Sequence, residues 1–303
     1  MTNRIHNSRI GRWAALMLGI GALAAGVAAA QTAEETQRNV ELGLQYDSAW
    51  ALYASLKEQA GGGQPLTWRN MPDWSGLWTR WTPGGNAFDL QRQQGASTSA
   101  KLRPEAIAVH DAAVRETAAG ILYDEALSQC GPPGYPRWLG IPFLREFIVR
   151  PEQTWLSSET VNNVRRIYTD GRGHPPEIER YPLYYGDSIG FWDDGRLIIH
   201  TNQLRASTYG RAHPEHSEQT ETVEIWRKVA DDRIIADVWV YDPVNLLEPW
   251  YVQFRYDKTP NPDYSLRMRY WHCSENPNNA VFETSEGSTQ YTDFTFTSED
   301  DRE

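Results

Sequence analysis

The feature that most constrains the fold of this chain is a succession of short alternating segments that starts near residue 141. The segments are rich in Val, Ile, Tyr, Trp and Thr, and turn sequences such as Asp-Gly-Arg separate them, as is typical of β-strands. No helical segment lies between consecutive members, so we expect neighbouring strands to pair antiparallel. The pattern predicts strands at 144–149, 153–158, 162–169, 184–192, 195–202, 220–229, 233–241, 249–257, 265–273 and 289–297.

About eight to ten such strands are enough to close a barrel or to form a sandwich. The predicted fold is mainly β: an antiparallel β-barrel, lipocalin-like or similar, or a sandwich, with one or two N-terminal helices. Residues 33–60 have apolar residues at near-helical spacing, and 104–119 form a second, Ala-rich helical segment. We therefore assign 31–120 to a helical extension that packs on the barrel and 121–303 to the antiparallel β domain.

Residues 1–30 have the features of a secretory signal peptide. Arg4, Arg9 and Arg12 precede an apolar run at 13–27, and three alanines that end at Ala30 follow it. The run is too short and too rich in Ala and Gly for a membrane span. This pattern predicts a periplasmic or secreted product with no membrane-spanning segment.

Charge, cysteine content and the absence of nucleotide-binding motifs limit the partners and cofactors that we expect for this chain. The chain has 40 Asp and Glu against 29 Lys and Arg, which argues against nucleic acid as the main partner. Two cysteines, Cys130 and Cys273, favour a disulfide in an exported protein, and the alternative is a metal-binding or nucleophilic thiol. No phosphate-binding loop or dinucleotide fingerprint is present, so we expect no cofactor and a small-molecule ligand or substrate.

Several strands combine one apolar face with one face of aromatic and charged residues. If the mixed faces line a lumen, they form a polar-aromatic pocket for a ring-bearing or oxygenated molecule. A solvated outer face with cross-strand ion pairs is the alternative. The predicted substrate-binding residues are Arg166, Arg172, Trp192, Glu224, Trp226, Trp239 and Tyr241.

The densest candidate site is the segment 165–175, where a strand ends in a Gly turn that carries Asp170, Arg172 and His174. His174 is the predicted general acid or base, because imidazole exchanges protons near neutral pH. Asp170 would orient it, Tyr168 would be a second proton donor, and Arg166 and Arg172 would hold negative charge. The alternative is a simple Asp-Gly hairpin turn.

A second candidate lies just before the strand at 220–229. His213, His216 and Glu218 could bind zinc, although Pro214 keeps the segment from being helical and a third ligand is unclear. His216 is otherwise a second acid–base group, or a loop residue that orients a substrate. Asp187 and Ser188, after a Gly turn, are either a pair of site residues or a turn motif.

Three segments resemble a family of exported, largely uncharacterised bacterial proteins. They are Arg165-Arg-Ile-Tyr-Thr-Asp-Gly-Arg-Gly-His-Pro175, Gly186-Asp-Ser-Ile-Gly-Phe-Trp192 and Pro72-Asp-Trp-Ser-Gly-Leu-Trp78, and the likeness extends over about 72–273. Many members carry an acidic residue where this chain has His200. The resemblance implies a shared fold and export, and it implies no activity.

Three functions remain open. The first is a cofactor-independent lyase, isomerase or hydrolase that acts on a small oxygenated or aromatic molecule through His174. The second is a periplasmic binding or carrier protein that uses the same lumen without turnover. The third is a metal-dependent hydrolase built on His213, His216 and Glu218.

Overall fold

The computed structural model describes residues 33–80, 100–121, 126–129, 131–210, 214–271, 281–283 and 289–291. The α-helices are α1 (Ala33–Leu44), α2 (Ala49–Gln59) and α3 (Pro104–Ala118). The strands are β1 (Leu77–Arg80), β2 (Arg145–Val149), β3 (Gln153–Ser158), β4 (Asn163–Tyr168), β5 (Asp187–Asp193), β6 (Arg196–Asn202), β7 (Ser207–Thr208), β8 (Glu215–His216), β9 (Glu221–Ala230), β10 (Arg233–Tyr241), β11 (Trp250–Lys258), β12 (Val281–Glu283) and β13 (Thr289–Tyr291). Short 3-10 turns lie at Ala126–Gln129, Arg137–Gly140, Thr160–Asn162 and Glu177–Glu179.

Nine of these strands close into a barrel in the order β1-β11-β10-β9-β6-β5-β4-β3-β2, and β2 pairs with β1. The mainly β class and the barrel with N-terminal helices are therefore confirmed. Every neighbouring pair is antiparallel except β4 and β5, which run parallel. The chain turns back through residues 169–186, so that Ser188 and Ile189 of β5 lie beside Ile167 and Tyr168, the last residues of β4.

The strand that closes the barrel lies outside the predicted set. β1 has only four residues, Leu77–Arg80, and comes from the segment that the sequence assigns to the N-terminal extension. The predicted strand at 265–273 is wrong for 265–271, which are not in a strand. Because β1 pairs with β11, the barrel has no free edge left for that segment.

The predicted helix at 33–60 is two helices, since the chain leaves helical geometry at residues 45–48. Ser48 caps the N-terminus of α2, and its side-chain oxygen accepts a hydrogen bond from the backbone N–H of Ala51. Both helices lie on the outer surface of the barrel, against an apolar patch that includes Ile198, Val223 and Trp239. Among the described helices, none is long and apolar enough to cross a membrane.

Candidate functional site

Cross-strand register decides which side chains share the barrel interior. Glu224 and Trp226 of β9 lie opposite apolar residues of β10, and directly opposed residues project to the same side of a sheet. Both are fully buried, and Trp226 packs with the apolar interior residues of β10. Trp239 and Tyr241 of β10 project to the outer side instead. The prediction that these four residues line one lumen is wrong, because alternation within strands does not give the register between them.

The two outward aromatic residues hold α1 on the barrel. The indole Nε1 of Trp239 donates to the backbone oxygen of Asn39 at 2.7 Å. The hydroxyl of Tyr241 donates to the backbone oxygen of Gly43 at 3.0 Å. Trp239 and Tyr241 therefore hold α1 against the barrel by hydrogen bonds to its backbone.

The interior of the barrel is filled by side chains, with a buried ion pair among them. On β4 it is Arg165 that points inward, whereas the predicted Arg166 is exposed and stacks on Trp155. The Arg165 guanidinium meets both carboxylate oxygens of Glu224, at 2.6 and 2.9 Å. Burial is the largest influence on Glu224 and opposes its ionisation, but the Arg165 charge and the hydrogen bonds to the carboxylate together outweigh it and lower the pKa of this carboxyl.

Trp192, another predicted ligand-binding residue, also belongs to this packed interior. Its ring meets that of Trp74 at 5.1 Å between centroids, and its side chain is almost completely buried. Clefts of substrate size lie instead on the outer surface of the barrel.

Asp170 does not orient His174. It forms an exposed ion pair with Arg172, whose Nη2 and Nε lie 2.5 and 2.9 Å from the Asp170 carboxylate. The Arg172 hydrogen bond lowers the pKa of Asp170. The same guanidinium stacks 4.2 Å above the ring of Tyr168, which is half-buried at the end of β4. These three residues form a surface cluster beside the site.

His174 is instead part of a four-residue chain of hydrogen bonds. Its Nδ1 lies 2.5 Å from Asp187 Oδ1, and its Nε2 lies 2.7 Å from His200 Nδ1. The other nitrogen of His200, Nε2, lies 3.3 Å from Glu221 Oε2. We name this set, Asp187, His174, His200 and Glu221, the histidine relay.

Three elements and one loop position the histidine relay. Asp187 begins β5, His200 lies on β6 opposite Val223 of β9, and Glu221 begins β9. Gly186 has a φ of 66°, and a Cβ there would lie 2.4 Å from the backbone oxygen of Asn202, so only glycine fits the turn that presents Asp187. The connection 169–186, which the parallel β4–β5 pair requires, brings His174 to the other three.

The relay needs one proton more than two neutral imidazoles carry. Three hydrogen bonds link four groups, and each bond requires a proton. Two neutral imidazoles supply only two N–H groups. A third proton must therefore reside on an imidazole or a carboxyl group, so the relay stores an exchangeable proton.

Among the placements of the third proton that fit the geometry, two keep His200 neutral and Asp187 ionised. In one, His174 is an imidazolium that donates to Asp187 and His200, and His200 donates to an ionised Glu221. In the other, both imidazoles are neutral and Glu221 carries the proton. Two proton hops, from His174 to His200 and from His200 to Glu221, interconvert them.

Aromatic side chains of α2 cover the relay. The ring of Trp50 lies 5.3 Å from that of His200 and 6.2 Å from that of His174, and Tyr53 lies 5.6 Å from His200. The side chains of His174 and His200 are only 4 % and 1 % exposed. Burial lowers the pKa of His200, although the Glu221 hydrogen bond opposes this, so His200 favours the neutral form. Both proton distributions keep it neutral.

The Glu221 end of the relay faces a cleft of about 670 Å³. The cleft lies between the α1–α2 turn and the segment 242–249, and its walls combine apolar residues with polar groups that include Ser48, Arg103 and Gln219. The Glu221 side chain is 34 % exposed, which makes it the most accessible member of the relay. Tyr241, one of the predicted binding residues, lines the same cleft on the outer surface of the barrel.

A smaller cleft of about 280 Å³ lies near the other end. Trp50, Tyr53, Arg172 and Gly173 line it, and Gly173 directly precedes His174. Of the predicted site residues, His174, Arg172 and Tyr241 therefore border the relay or its clefts.

His216 lies elsewhere, buried on β8 with its ring 5.2 Å from that of Tyr209. Burial lowers the pKa of His216 to about 4. Within the described part of the chain, no group of three His, Cys, Asp or Glu side chains could hold a metal ion. His213, Cys130 and Cys273 lie outside the described residues, as does 1–30, so the zinc site, the disulfide and the signal peptide stay predictions.

The sequence identified His174 but not its partners. From the sequence alone, Asp187 is either a site residue or a turn residue, and His200 is notable only as a departure from the resembled family. Glu221 had no signal apart from its place at the start of a strand. The relay joins residues from β5, β6, β9 and a loop, and only the strand register brings them together.

No protein-family model matches this chain, and no curated protein matches it. The geometry of the relay and its clefts is therefore the basis for assigning a function.

Proposed function

We propose that this protein is an acid–base enzyme, a lyase, isomerase or hydrolase, that acts on a small oxygenated or aromatic molecule in the 670 Å³ cleft. The observation that carries the proposal is that Glu221 belongs both to the cleft wall and to the histidine relay. A carboxylate at a solvent-filled cleft is common. One that is hydrogen-bonded to a buried pair of imidazoles has a proton source and a proton acceptor behind it.

The proposed reaction begins from the distribution in which Glu221 carries the proton. Glu221 donates this proton to the leaving group or to an oxygen of the substrate. The ionised Glu221 then accepts a proton from a substrate C–H or O–H bond, or from an attacking water, and the electron pair of that bond stays with the substrate, so the relay ends with the three protons that it began with. The relay supplies the first proton from His174 through His200, and Glu221 therefore does not need to take it from solvent.

The lining of the cleft suits a substrate with both apolar and oxygen-bearing parts. Leu44, Leu246 and Leu247 supply apolar surface, while Ser48 and Arg103 supply donors. Arg103 also donates to the backbone oxygen of Pro243 at 3.1 Å, which holds its guanidinium at the edge of the cleft. In the proposed reaction Arg103 holds negative charge on the substrate, in place of the predicted Arg166 and Arg172.

The test is a turnover screen with a panel of lactones, hydroxy acids, enones and phenyl esters, read by mass spectrometry. For a compound that is converted, Glu221→Gln should lower kcat/KM by roughly 10²-fold or more, because the amide keeps the size of the side chain but takes no proton. Glu248→Gln is the matched control: the same change in the same cleft, at a residue paired with Lys101 and not in the relay. It should change kcat/KM by less than about threefold.

A compound that binds in the cleft and is released unchanged would contradict the enzyme and support the carrier function. Equal losses of kcat/KM in Glu221→Gln and Glu248→Gln would place the chemistry outside the relay.

Export to the periplasm or medium is a further proposal, supported by the sequence of 1–30. The intact mass of the protein isolated from its host tests both the cleavage after Ala30 and the Cys130–Cys273 bridge.

A further inference from the structure

A second buried guanidinium, that of Arg145 on β2, lies inside the barrel. Arg145 is 0 % exposed, and its Nη2 donates to the backbone oxygens of Trp138 and Ile141. Its Nε and Nη1 have no acceptor among the described residues. A guanidinium has five N–H donors, so the two bonds leave most of them unsatisfied.

The surroundings of Arg145 differ from those of Arg165 in one respect. Arg165 meets the carboxylate of Glu224. Arg145 meets aromatic faces, with the Trp138 ring at 4.2 Å and the Tyr256 ring at 5.3 Å, and it forms no ion pair with a described carboxylate. A buried charge without a counter-charge is strongly unfavourable, and ring faces compensate for it only in part.

Further donors surround the same guanidinium. The indole Nε1 of Trp138 and the hydroxyl of Tyr185 are buried without hydrogen-bond partners, and their rings lie 5.7 Å apart. Burial raises the pKa of the Tyr185 hydroxyl, and the positive charge of Arg145 opposes the rise, so the two groups lie within electrostatic reach. Burial and the charge of Arg145 also lower the pKa of Arg80, on the neighbouring strand, to about 10.

We infer that Arg145, Trp138 and Tyr185 form a binding site for a small monovalent oxyanion, of the size of formate, inside the barrel. The unsatisfied groups are predominantly donors around one uncompensated positive charge, which is the complement of an anion. The interior is filled with aromatic side chains, so the anion is small. The site shares no residue with the histidine relay, so this inference does not depend on the proposed reaction.

The test measures the Tm of the purified full chain in sodium formate and in sodium gluconate at equal ionic strength. Gluconate is too large to enter a filled interior, so it controls for general salt effects. The wild type should melt about 2–4 °C or more higher in formate, because an anion that binds only the folded state stabilises it by mass action. Arg145→Met should abolish the formate-specific rise.

Arg166→Met is the matched control, since Arg166 lies next to Arg165 but points outward. It should keep the full formate-specific rise. Tyr185→Phe removes one hydroxyl and should raise the formate concentration at half-effect several-fold, which tests the site even if Arg145→Met does not fold. A wild type without a formate-specific rise, a rise retained in Arg145→Met, or an unchanged half-effect concentration in Tyr185→Phe would overturn the inference.

Discussion

Glu224 shows how strongly one interior residue depends on its partner. Its carboxylate accepts hydrogen bonds from Arg165 and from the indole of Trp226, and it is fully buried. Glu224→Gln leaves the Arg165 charge without compensation, so we expect the free energy of unfolding to fall by about 3–5 kcal/mol. Urea denaturation measures this loss.

Asp257→Asn is the matched control for that change. Asp257 pairs with Arg233 and Arg255 on the outer surface, and its side chain is 32 % exposed. Because solvent screens such pairs, the loss should stay below about 1 kcal/mol. Similar losses in the two variants would show that burial of the Arg165–Glu224 pair has no special effect on stability.

His216 predicts a pH dependence of stability. In the folded state burial lowers its pKa to about 4 from the ordinary value of 6.5, so the unfolded chain binds a proton at a higher pH than the folded chain. The stabilising contribution is therefore complete above about pH 6.5 and is lost as the pH falls towards 4, with a total of roughly 3 kcal/mol.

His216→Gln removes this titration. Its free energy of unfolding should fall less steeply than that of the wild type between pH 7 and about pH 4, in urea titrations at a series of pH values. The slope that remains in the variant reports other groups, His200 among them. If the free energies of unfolding of the wild type and His216→Gln changed in parallel with pH, the assignment of this titration to His216 would be contradicted.

At the scale of elements, α1 is held by a close approach that the sequence does not reveal. A Cβ on Gly43 would lie 2.7 Å from Cδ1 of Trp239, whose indole is fixed by its bond to Asn39. Alanine usually stabilises a helix by about 1 kcal/mol relative to glycine. Here the clash should dominate, and Gly43→Ala should lower the free energy of unfolding by about 1–3 kcal/mol in urea denaturation.

Glu41→Ala is the control within the same helix, on its exposed face. It should change stability by no more than about 0.5 kcal/mol. A Gly43→Ala protein that is more stable than the wild type would show that α1 does not pack closely on Trp239.

Local patterns predicted most of the strands. The hairpin of β5 and β6 is visible from its alternation and its Asp-Asp-Gly turn, and α3 lies within a residue of its predicted end. Strand β1 is not predicted, because an alternating pattern cannot be recognised in only four residues. The β4–β5 pairing is not predicted either, because the loop 169–186 has no helix to indicate a crossover.

At the scale of the whole molecule, the faces of the barrel depend on register between strands that are distant in sequence. Alternation correctly separated Glu224 and Trp226 from their neighbours, but it could not show that they share the interior with the apolar face of β10. The candidate site was predictable only in part for the same reason. His174 is distinctive by its chemistry, whereas Asp187, His200 and Glu221 become its partners only through the register of β5, β6 and β9 and the path of the loop 169–186.

The central claim is that Asp187, His174, His200 and Glu221 act as one proton-sharing unit. The most direct measurement is long-range ¹H–¹⁵N NMR of the imidazole groups across the pH range in which histidine titrates, with His174→Gln and His200→Gln to assign the signals. We predict a strongly deshielded proton shared between His174 Nε2 and His200 Nδ1, coupled titration of the two rings, and a shift of both in Glu221→Gln. Two rings that titrate independently, with no shared proton and no response to Glu221→Gln, would contradict the account.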